Sequence, residues 1–452
     1  MKKAVITILG IQGGYVSDNN AVLTNKDHQA IYYPENREDL KAPYFNMLPL
    51  IIKSYQSEYE IIPIFTDDSK TFNQQVLSEI YPDFEINFDE KYHIHDEKNF
   101  KEIFSLYNNT INQFDEVIID VTHGFRHLPL LMLIDLLIVN FKDTDKIKHI
   151  WFAKEIKKHT PKEQGVYEII DLKEYLELAN FSFVLSTFTQ NYTVSNKIKM
   201  SNPNYNEFLK NLKSFSKHIL ANSMDELLLN TNKKISINTK LLKQIDEIIK
   251  DKEDILQNFL PFLEEIKIHI TQINGYTKLQ DYEKMYKFSY NMLDKGYFLN
   301  SITLLNEAVG LYCKEEFKTI NHDIKSFIEN YEQEVHHRKN TNNKKYQLYT
   351  LTDQSKNLYK LSSKFVGDFL KIKYPNDKEL KHNELAKDIT IKIKSNLIDM
   401  KKDASYENKV KTIEEITQLR NNLAHGNSSK RLEDVESDIE GVLNSFNKYF
   451  LS

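Results

Sequence analysis

Arginine is scarce in this chain of 452 residues, since only five of its 60 basic residues are arginine. Lysine supplies the other positive charges, so an arginine indicates a need for a planar, permanently charged group with several donors, which matches a phosphate. Two of the five, Arg126 and Arg420, lie within short polar motifs. The alternative is that an AT-rich genome has few arginine codons and that these positions are random.

Cysteine and long apolar segments are also scarce. The single cysteine, Cys313, excludes a disulfide framework and a cysteine-based zinc site, and it is typical of a reducing compartment. The longest apolar run, residues 128–141, contains Asp135 and is too short to span a membrane. We expect no signal peptide, because residues 1–3 lead directly into a predicted buried strand, and we expect a cytoplasmic location without membrane contact.

The net charge of −5 excludes a general attraction to nucleic acid, so any RNA site must be a local patch. Metal ligands are also few. His93 and His95 lie on one side of an extended segment, but no third ligand is evident near them in the sequence. We therefore expect neither a metal site nor a cofactor.

The first part of the chain alternates strand-like and helix-like segments. Apolar strands are predicted at residues 4–9, 61–65, 117–120, 149–152 and 167–170, with helices at 43–58, 71–80 and 128–140. Near-continuous apolar strands separated by helices indicate a parallel sheet covered on both faces. Residues 1–175 are therefore predicted to form a Rossmann-like α/β domain.

From about residue 171 the strand pattern ends and helical periodicity takes over. We predict a helical connector over residues 176–275 and a second all-α domain over residues 276–452. The strongest helical pattern is at 290–317, where Ile302, Leu305 and Val309 recur at amphipathic spacing. Another helix is predicted at 411–424.

Two loops are expected at the carboxyl edge of the predicted sheet, where such sheets bind ligands. Residues 10–15 (GIQGGY) follow the first strand, and residues 120–129 (DVTHGFRHLP) follow the strand that ends at Asp120. The free N–H groups of the next helix, with Thr122 and Arg126, would form an oxyanion site. Alternatively, Asp120 or Thr122 only caps that helix.

Residues 120–124 (DVTHG) resemble the signature of the CRISPR-associated DxTHG-motif proteins, and residues 125–129 (FRHLP) extend the resemblance. These proteins are similar to a larger group that joins an N-terminal CARF domain, a Rossmann-like ligand sensor, to a C-terminal HEPN domain. The resemblance covers about residues 1–175. It implies a homodimer that binds cyclic oligoadenylate on its two-fold axis, cyclic tetra-adenylate in preference to cyclic hexa-adenylate.

The ligand contacts that this resemblance implies are Gly10, Gln12, Gly13, Thr122, His123, Gly124 and Arg126. Some sensors of this kind also cleave their cyclic ligand slowly. If this chain does so, Thr122 or His123 would take part.

Residues 420–425 (RNNLAH) fit the R-x4–6-H pattern of HEPN ribonucleases, a short pattern that also occurs by chance. Ile413 and Ile416 define an apolar stripe whose next member is Arg420. A permanent cation on such a stripe needs a partner or a substrate. Gly426 predicts that the helix ends at His425.

The resemblance implies a metal-independent endoribonuclease that cleaves single-stranded RNA, leaving 2′,3′-cyclic phosphate and 5′-hydroxyl ends. Arg420 would stabilise charge on the phosphate, His425 would transfer a proton, and Asn421 would orient the phosphate or end the helix. Alternatively, Arg420 pairs with Glu414 or Glu415 and His425 is a helix cap. Two further alternatives are a ligand-sensing regulator that binds DNA, and a ring nuclease whose helical domain is not catalytic.

Overall fold

The computed structural model describes residues 1–11, 15–16, 22–23, 29–123, 127–158, 163–200, 202–224, 227, 236–250, 259–337, 345–360, 379–401, 404–426 and 430–451. The chain divides into two compact units. The sheet unit comprises Met1–Val184 and Ser195–Leu209, and the helical unit comprises Leu185–Val194 and Lys210–Ser452. An α/β N-terminal part is followed by helices, so the predicted fold class is confirmed. The predicted boundaries of three domains stay a prediction.

The sheet unit is built on seven strands in the spatial order β5-β4-β9-β8-β7-β1-β6. Their bounds are β1 Lys3–Ile8, β4 Ala30–Pro34, β5 Ala42–Tyr44, β6 Glu60–Ile64, β7 Glu116–Asp120, β8 Ile147–Lys157 and β9 Val166–Asp171. Two short strands, β2 Tyr15–Val16 and β3 Val22–Leu23, pair separately. Strand β7 is buried along its whole length, because the sheet is covered on both faces there.

The predicted parallel sheet is found only in part, because the sheet is mixed. Strands β6, β1, β7 and β8 are parallel neighbours, as predicted. Strand β9 runs antiparallel to β8, and β5 runs antiparallel to β4. The physical reason is that only a short connection joins β8 to β9, and parallel pairing needs a crossover of a dozen residues or more.

Helices cover the sheet. Their bounds are α1 Met47–Tyr55, α2 Asp67–Ile80, α3 Phe100–Asn112 and α4 His127–Lys142. Helices α1, α2 and α4 confirm the three helices predicted for this part of the chain, although α1 begins at Met47 because residues 42–44 form strand β5. Helix α3 was not predicted. There are two later helices, α5 Lys173–Asn191 and α6 Pro203–Leu220. The first part of each belongs to the sheet unit and the rest to the helical unit.

The helical unit continues with nine further described helices. Their bounds are α7 Ile237–Lys250, α8 Leu260–Tyr276, α9 Asp281–Asp294, α10 Phe298–Ile320, α11 His322–His337, α12 Lys345–Tyr359, α13 Glu379–Met400, α14 Ala404–Ala424 and α15 Leu432–Phe450. Helix α10 is the core of this unit, since Ile302, Leu305 and Val309 are fully buried. Across the described ranges, no helix has both the length and the apolarity needed to cross a bilayer.

The single helix predicted at 290–317 is wrong, because the chain forms α9 and α10 with a break between them. Gly296 has a φ of 76°, in the left-handed region that favours glycine. The N–H of Gly296 bonds the carbonyl of Leu293 at 2.9 Å, and the N–H of Tyr297 bonds that of Met292 at 2.8 Å. This pair of bonds is the Schellman motif, which ends a helix whether or not apolar periodicity continues.

Candidate functional site

The carboxyl ends of β6, β1 and β7 lie side by side, and the loops that follow them form one edge of the sheet. Thr7 of β1 pairs with Asp120 of β7 in the strand register. The Thr7 hydroxyl donates to the Asp120 carboxylate at 2.7 Å, although the two residues are 113 positions apart in the chain. The two central strands are therefore joined by side chains as well as by backbone.

Asp120 and Thr122 form a buried polar network beneath this edge. The backbone N–H and the hydroxyl of Thr122 donate to the Asp120 carboxylate, at 3.1 and 2.5 Å. The same hydroxyl accepts from the N–H of Ala153 on β8 at 3.0 Å. Burial raises the pKa of the Asp120 carboxyl, while the hydrogen bonds from Thr122 and Thr7 oppose that rise. The network holds the turn after β7 against both neighbouring strands.

The turn after β7 and the loop after β1 approach very closely. A Cβ atom added to Gly10 would lie 1.6 Å from the carbonyl oxygen of His123 and 2.8 Å from its carbonyl carbon. Only glycine fits at that position, for lack of space and not because of its φ angle. The two loops predicted to bind the ligand are thus in direct backbone contact.

A chain of hydrogen bonds connects the same loops to the start of helix α1. The Asn73 amide donates to the Gly10 carbonyl at 3.1 Å, and the Asn46 amide donates to the Asn73 oxygen at 2.9 Å. Asn46 also caps α1, since its side chain accepts from the N–H of Leu48. The N–H of Met47 donates to Nε2 of His123 at 3.1 Å, which closes the ring of contacts.

His123 is held as a neutral imidazole. Burial lowers the pKa of His123 to about 3. Because Nε2 accepts the hydrogen bond from Met47, the proton of the neutral ring lies on Nδ1. That Nδ1 atom is buried and has no partner in the described part of the chain. The imidazole therefore holds the loop through its acceptor nitrogen, while its Nδ1–H group has no acceptor among the residues that the structure describes.

The structure brings three of the predicted ligand contacts together: Gly10, Thr122 and His123. The other four lie outside the described residues: Gln12, Gly13, Gly124 and Arg126. Asn46 and Asn73 were missed by the sequence analysis. An asparagine directly before the apolar run of α1 is a helix-start signal that identifies Asn46 as a cap, but no sequence signal places Asn73 against Gly10.

The predicted catalytic residues lie at the end of helix α14. Ile413 and Ile416 are fully buried, as the predicted stripe requires, and Arg420 is partly buried beyond them. The Nη1 group of Arg420 donates to the side-chain oxygen of Asn421 at 3.1 Å. Its Nε atom is buried, and no residue in the described ranges accepts a hydrogen bond from it. Among the described residues, Arg420 forms no ion pair with Glu414 or Glu415, and Glu415 faces Lys411 at 3.9 Å.

His425 is the residue at which this helix stops. Helix α14 ends at Ala424, and Gly426 has a φ of 64°. The N–H of Gly426 bonds the carbonyl of Leu423 at 3.3 Å, which is one of the two bonds of a Schellman ending. The predicted stop is therefore confirmed. The His425 side chain is exposed, so it is free to contact a bound molecule.

Within the described ranges, no group of three or more histidine, cysteine, aspartate or glutamate side chains is arranged to hold a metal ion. His93 instead lies 3.2 Å from the Asp67 carboxylate and 3.4 Å from that of Glu90.

No protein-family model matches the chain, but similar proteins are found by comparison of sequence and of structure. The relative is a CRISPR-associated protein of Methanocaldococcus jannaschii, which is 26% identical over 177 residues. The match covers 38% of this chain and 26% of that protein, so the chain spans about a quarter of the length of its relative. The predicted resemblance to CRISPR-associated proteins is confirmed by this match.

One structural neighbour is Csm6 of Enterococcus italicus, bound to cyclic hexa-2′-fluoro-hexa-dAMP. The match covers 100% of this chain and 94% of that chain, with 13% sequence identity and a TM-score of 0.34. A TM-score this low does not define the fold of this chain. The fold follows from the chain's own strands and helices.

Proposed function

We propose that this chain is a CRISPR-associated CARF–HEPN effector: a homodimeric endoribonuclease that cyclic oligoadenylate activates. The observation that carries the proposal is the end of helix α14. There a partly buried arginine, whose Nε atom has no partner among the described residues, lies five residues before an exposed histidine. A phosphodiester would supply the oxygen acceptors that such a guanidinium lacks.

The carboxyl edge of the sheet is the proposed sensor site. The loops after β1 and β7 are held at a fixed distance from each other. The contact between Gly10 and His123 and the hydrogen bonds through Asn73 and Asn46 hold them there. A preorganised edge loses little entropy when it binds a ligand with several phosphates. The Thr122 hydroxyl is already bonded to Asp120 and Ala153, so its proposed role is to hold the turn that presents backbone N–H groups.

The proposed dimer is supported by helix α4, which directly follows this turn. Four large apolar side chains are exposed at helical spacing on one face of it: Leu130, Ile134, Ile138 and Phe141, at 62%, 49%, 50% and 43%. The opposite face packs into the core through Met132 and Leu136. Contiguous exposed apolar surface of this kind marks an interaction site, and a second copy of α4 would bury it.

The proposed reaction needs no metal. The ribose 2′-hydroxyl loses its proton to water as its oxygen attacks the adjacent phosphorus, which forms the new P–O2′ bond and breaks the P–O5′ bond. Arg420 stabilises the negative charge that builds up on the phosphoryl oxygens. His425 donates a proton to the departing 5′-oxygen as a general acid. Asn421 orients Arg420 through the hydrogen bond between their side chains.

Activation is proposed to be a shift between conformations. Cyclic oligoadenylate favours the cleavage-competent state only to the extent that it binds that state more tightly than the resting state. The activator is proposed to be cyclic tetra-adenylate in preference to cyclic hexa-adenylate, and the substrate single-stranded RNA.

An RNA cleavage assay tests the proposal. Purified protein is incubated in EDTA with single-stranded RNA, alone or with cyclic tetra- or hexa-adenylate, and the product ends are identified. We expect cleavage only with an activator, with 2′,3′-cyclic phosphate and 5′-hydroxyl ends. A requirement for added metal, or cleavage of the cyclic oligonucleotide without any cleavage of RNA, would contradict the proposal.

A further inference from the structure

The sheet unit contains a cavity of about 340 Å³ outside the loops described above. Its wall is formed by residues 90–96 and by helix α3 between residues 102 and 109. The backbone holds His93 beside the end of β6, the strand at the margin of the sheet, since the N–H of Ile94 donates to the carbonyl of Phe65 at 2.8 Å. Sites for small molecules begin at about 300 Å³, so this cavity is large enough for one.

His93 is a buried imidazole in this wall. Its side chain is 7% exposed and stacks on Phe65, with 5.3 Å between the ring centroids. Nε2 lies 3.2 Å from the Asp67 carboxylate, and Nδ1 lies 3.4 Å from that of Glu90. Neither contact has the geometry of a hydrogen bond, and both ring nitrogens lack a hydrogen-bond partner among the described residues.

The surroundings of His93 contain more acceptors than donors. A neutral imidazole carries one N–H, so one of its nitrogens turns a lone pair towards a carboxylate. The other oxygen of Glu90 pairs with Lys70 at 2.8 Å, which leaves the amine of Lys70 on the far side of that carboxylate from the ring. Two acceptors this close need a donor from elsewhere, because a buried acceptor without a donor is costly.

The rest of the wall adds acceptors and little positive charge. Asp96 and Glu102 line the cavity, and neither forms an ion pair within the described ranges. His95 is exposed beside His93, with 4.2 Å between the ring centroids and an angle of 77° between the rings. The one lysine of the wall, Lys91, pairs with Asp89 at 2.9 Å. The occupant that complements these groups is therefore a cation that carries several N–H donors.

We propose that this cavity binds a primary aliphatic amine, whose ammonium group donates to His93 and to the carboxylates of the wall. An ammonium group carries three N–H donors on one atom, so it can reach a ring nitrogen and two carboxylates at once. A metal ion fits less well, since no three metal-binding side chains of the described residues are arranged to hold one. Free polyamines and lysine side chains both carry the required group. The inference goes beyond the proposed ribonuclease function and does not depend on it.

Titration calorimetry with the full chain tests the site. Putrescine and spermidine are the free amines, Nα-acetyl-lysine amide represents a lysine side chain, and 1,4-butanediol is the uncharged match of putrescine. All titrations are done at about pH 7.5 and at constant ionic strength, because screening alone changes weak charge interactions. We expect one bound amine per chain with a Kd below about 1 mM, and no binding of 1,4-butanediol. The amine that binds most tightly identifies the source of the ammonium group.

Two substitutions each remove a group of the wall. His93→Phe keeps a ring against Phe65 but removes both nitrogens, so amine binding should weaken at least about tenfold. Glu102→Gln keeps an oxygen that accepts from the Asn99 amide and removes an exposed charge. The fold should be unaffected in that variant, and amine binding should weaken about threefold or more. The matched control is Glu58→Gln, an exposed carboxylate of the same unit outside the wall, which should bind within about twofold of wild type.

Failure of all three amines to bind would overturn the inference, and so would equal affinity in Glu102→Gln and Glu58→Gln. The second comparison decides alone if His93→Phe does not fold. Zinc chloride is titrated in parallel, since zinc binding that depends on His93 and that no amine displaces would make this a metal site instead. RNA cleavage is not measured in any of these titrations, so their outcome is distinct from a failure of the proposed ribonuclease function.

Discussion

Gly10 is the residue at which a single added carbon has the most predictable effect. Its Cβ would lie 1.6 Å from the His123 carbonyl oxygen, so Gly10→Ala must displace one of the two loops. We expect a loss of about 1–3 kcal/mol in the free energy of unfolding of the sheet unit, and weaker activator binding. Thermal unfolding and calorimetry measure the two effects.

The matched control for this substitution is Gly275→Ala. Gly275 lies in helix α8 with nothing within 4 Å of an added Cβ. Alanine should leave stability unchanged there or raise it by about 0.5–1 kcal/mol, since it is the better helix former. Equal destabilisation by the two substitutions would contradict the proposed contact between the loops.

His123 should make the sheet unit sensitive to acid. Its pKa falls from an ordinary value of 6.5 to about 3 in the folded protein, so the unfolded chain binds a proton first as the pH drops. The contribution of His123 to the free energy of unfolding is complete above pH 6.5, and it is lost progressively as the pH falls from 6.5 towards 3. Between pH 6.5 and 5 the loss is on the order of 2 kcal/mol.

His123→Gln tests this assignment. A glutamine offers an oxygen to the Met47 N–H but does not titrate, so the variant should lose less stability than wild type over the same pH range. Urea unfolding at a series of pH values measures the difference. The same pH dependence in both proteins would show that another group causes it.

At the scale of single elements, the exposed face of helix α4 leads to a prediction about formation of the proposed dimer. Its exposed stripe contains Ile134 and Ile138 near the middle, and charges at both positions would face each other across a two-fold axis. We expect the double substitution Ile134→Glu with Ile138→Glu to convert the proposed dimer into a monomer. Light scattering measures the mass, and thermal unfolding should show little loss of monomer stability.

Ile268→Glu is the control, because Ile268 is 68% exposed on α8 and does not belong to the stripe of α4. It should leave the mass unchanged. A wild-type protein that is monomeric at micromolar concentration, or a double variant that stays dimeric, would show that α4 does not hold two copies together.

For the whole molecule, the separation of sensing from cleavage is the central prediction. His425→Ala removes the proposed proton donor, so RNA cleavage should fall at least about 100-fold. Binding of the activator should stay as in wild type, because the substitution lies in the helical unit and the proposed ligand contacts lie in the sheet unit. The cleavage assay and calorimetry measure the two properties on one preparation.

His322→Ala is the control, since His322 is an exposed histidine at the start of helix α11 in the same unit. It should cleave RNA as wild type does. If His425→Ala still cleaved RNA at the wild-type rate, the role proposed for the end of helix α14 would be wrong.

The sequence by itself determined the features that depend on near neighbours in the chain. The apolar periodicity predicted the strands β1, β6 and β7 and the helices after them, and Gly426 predicted the end of α14. The motif at residues 120–124 predicted a polar loop directly after the strand that ends at Asp120. Each of these is decided by a few consecutive residues, which is why sequence alone was sufficient.

Only the tertiary structure decided which distant residues meet. Asn73 bonds Gly10 across 63 positions, and Thr7 bonds Asp120 across 113. The pairing of β9 with β8 made the sheet mixed, and Lys356 of α12 bonds Asn306 of α10 across 50 positions. A hydrogen bond or a charge interaction depends on distance in space, and chain separation says nothing about that distance until the core has packed.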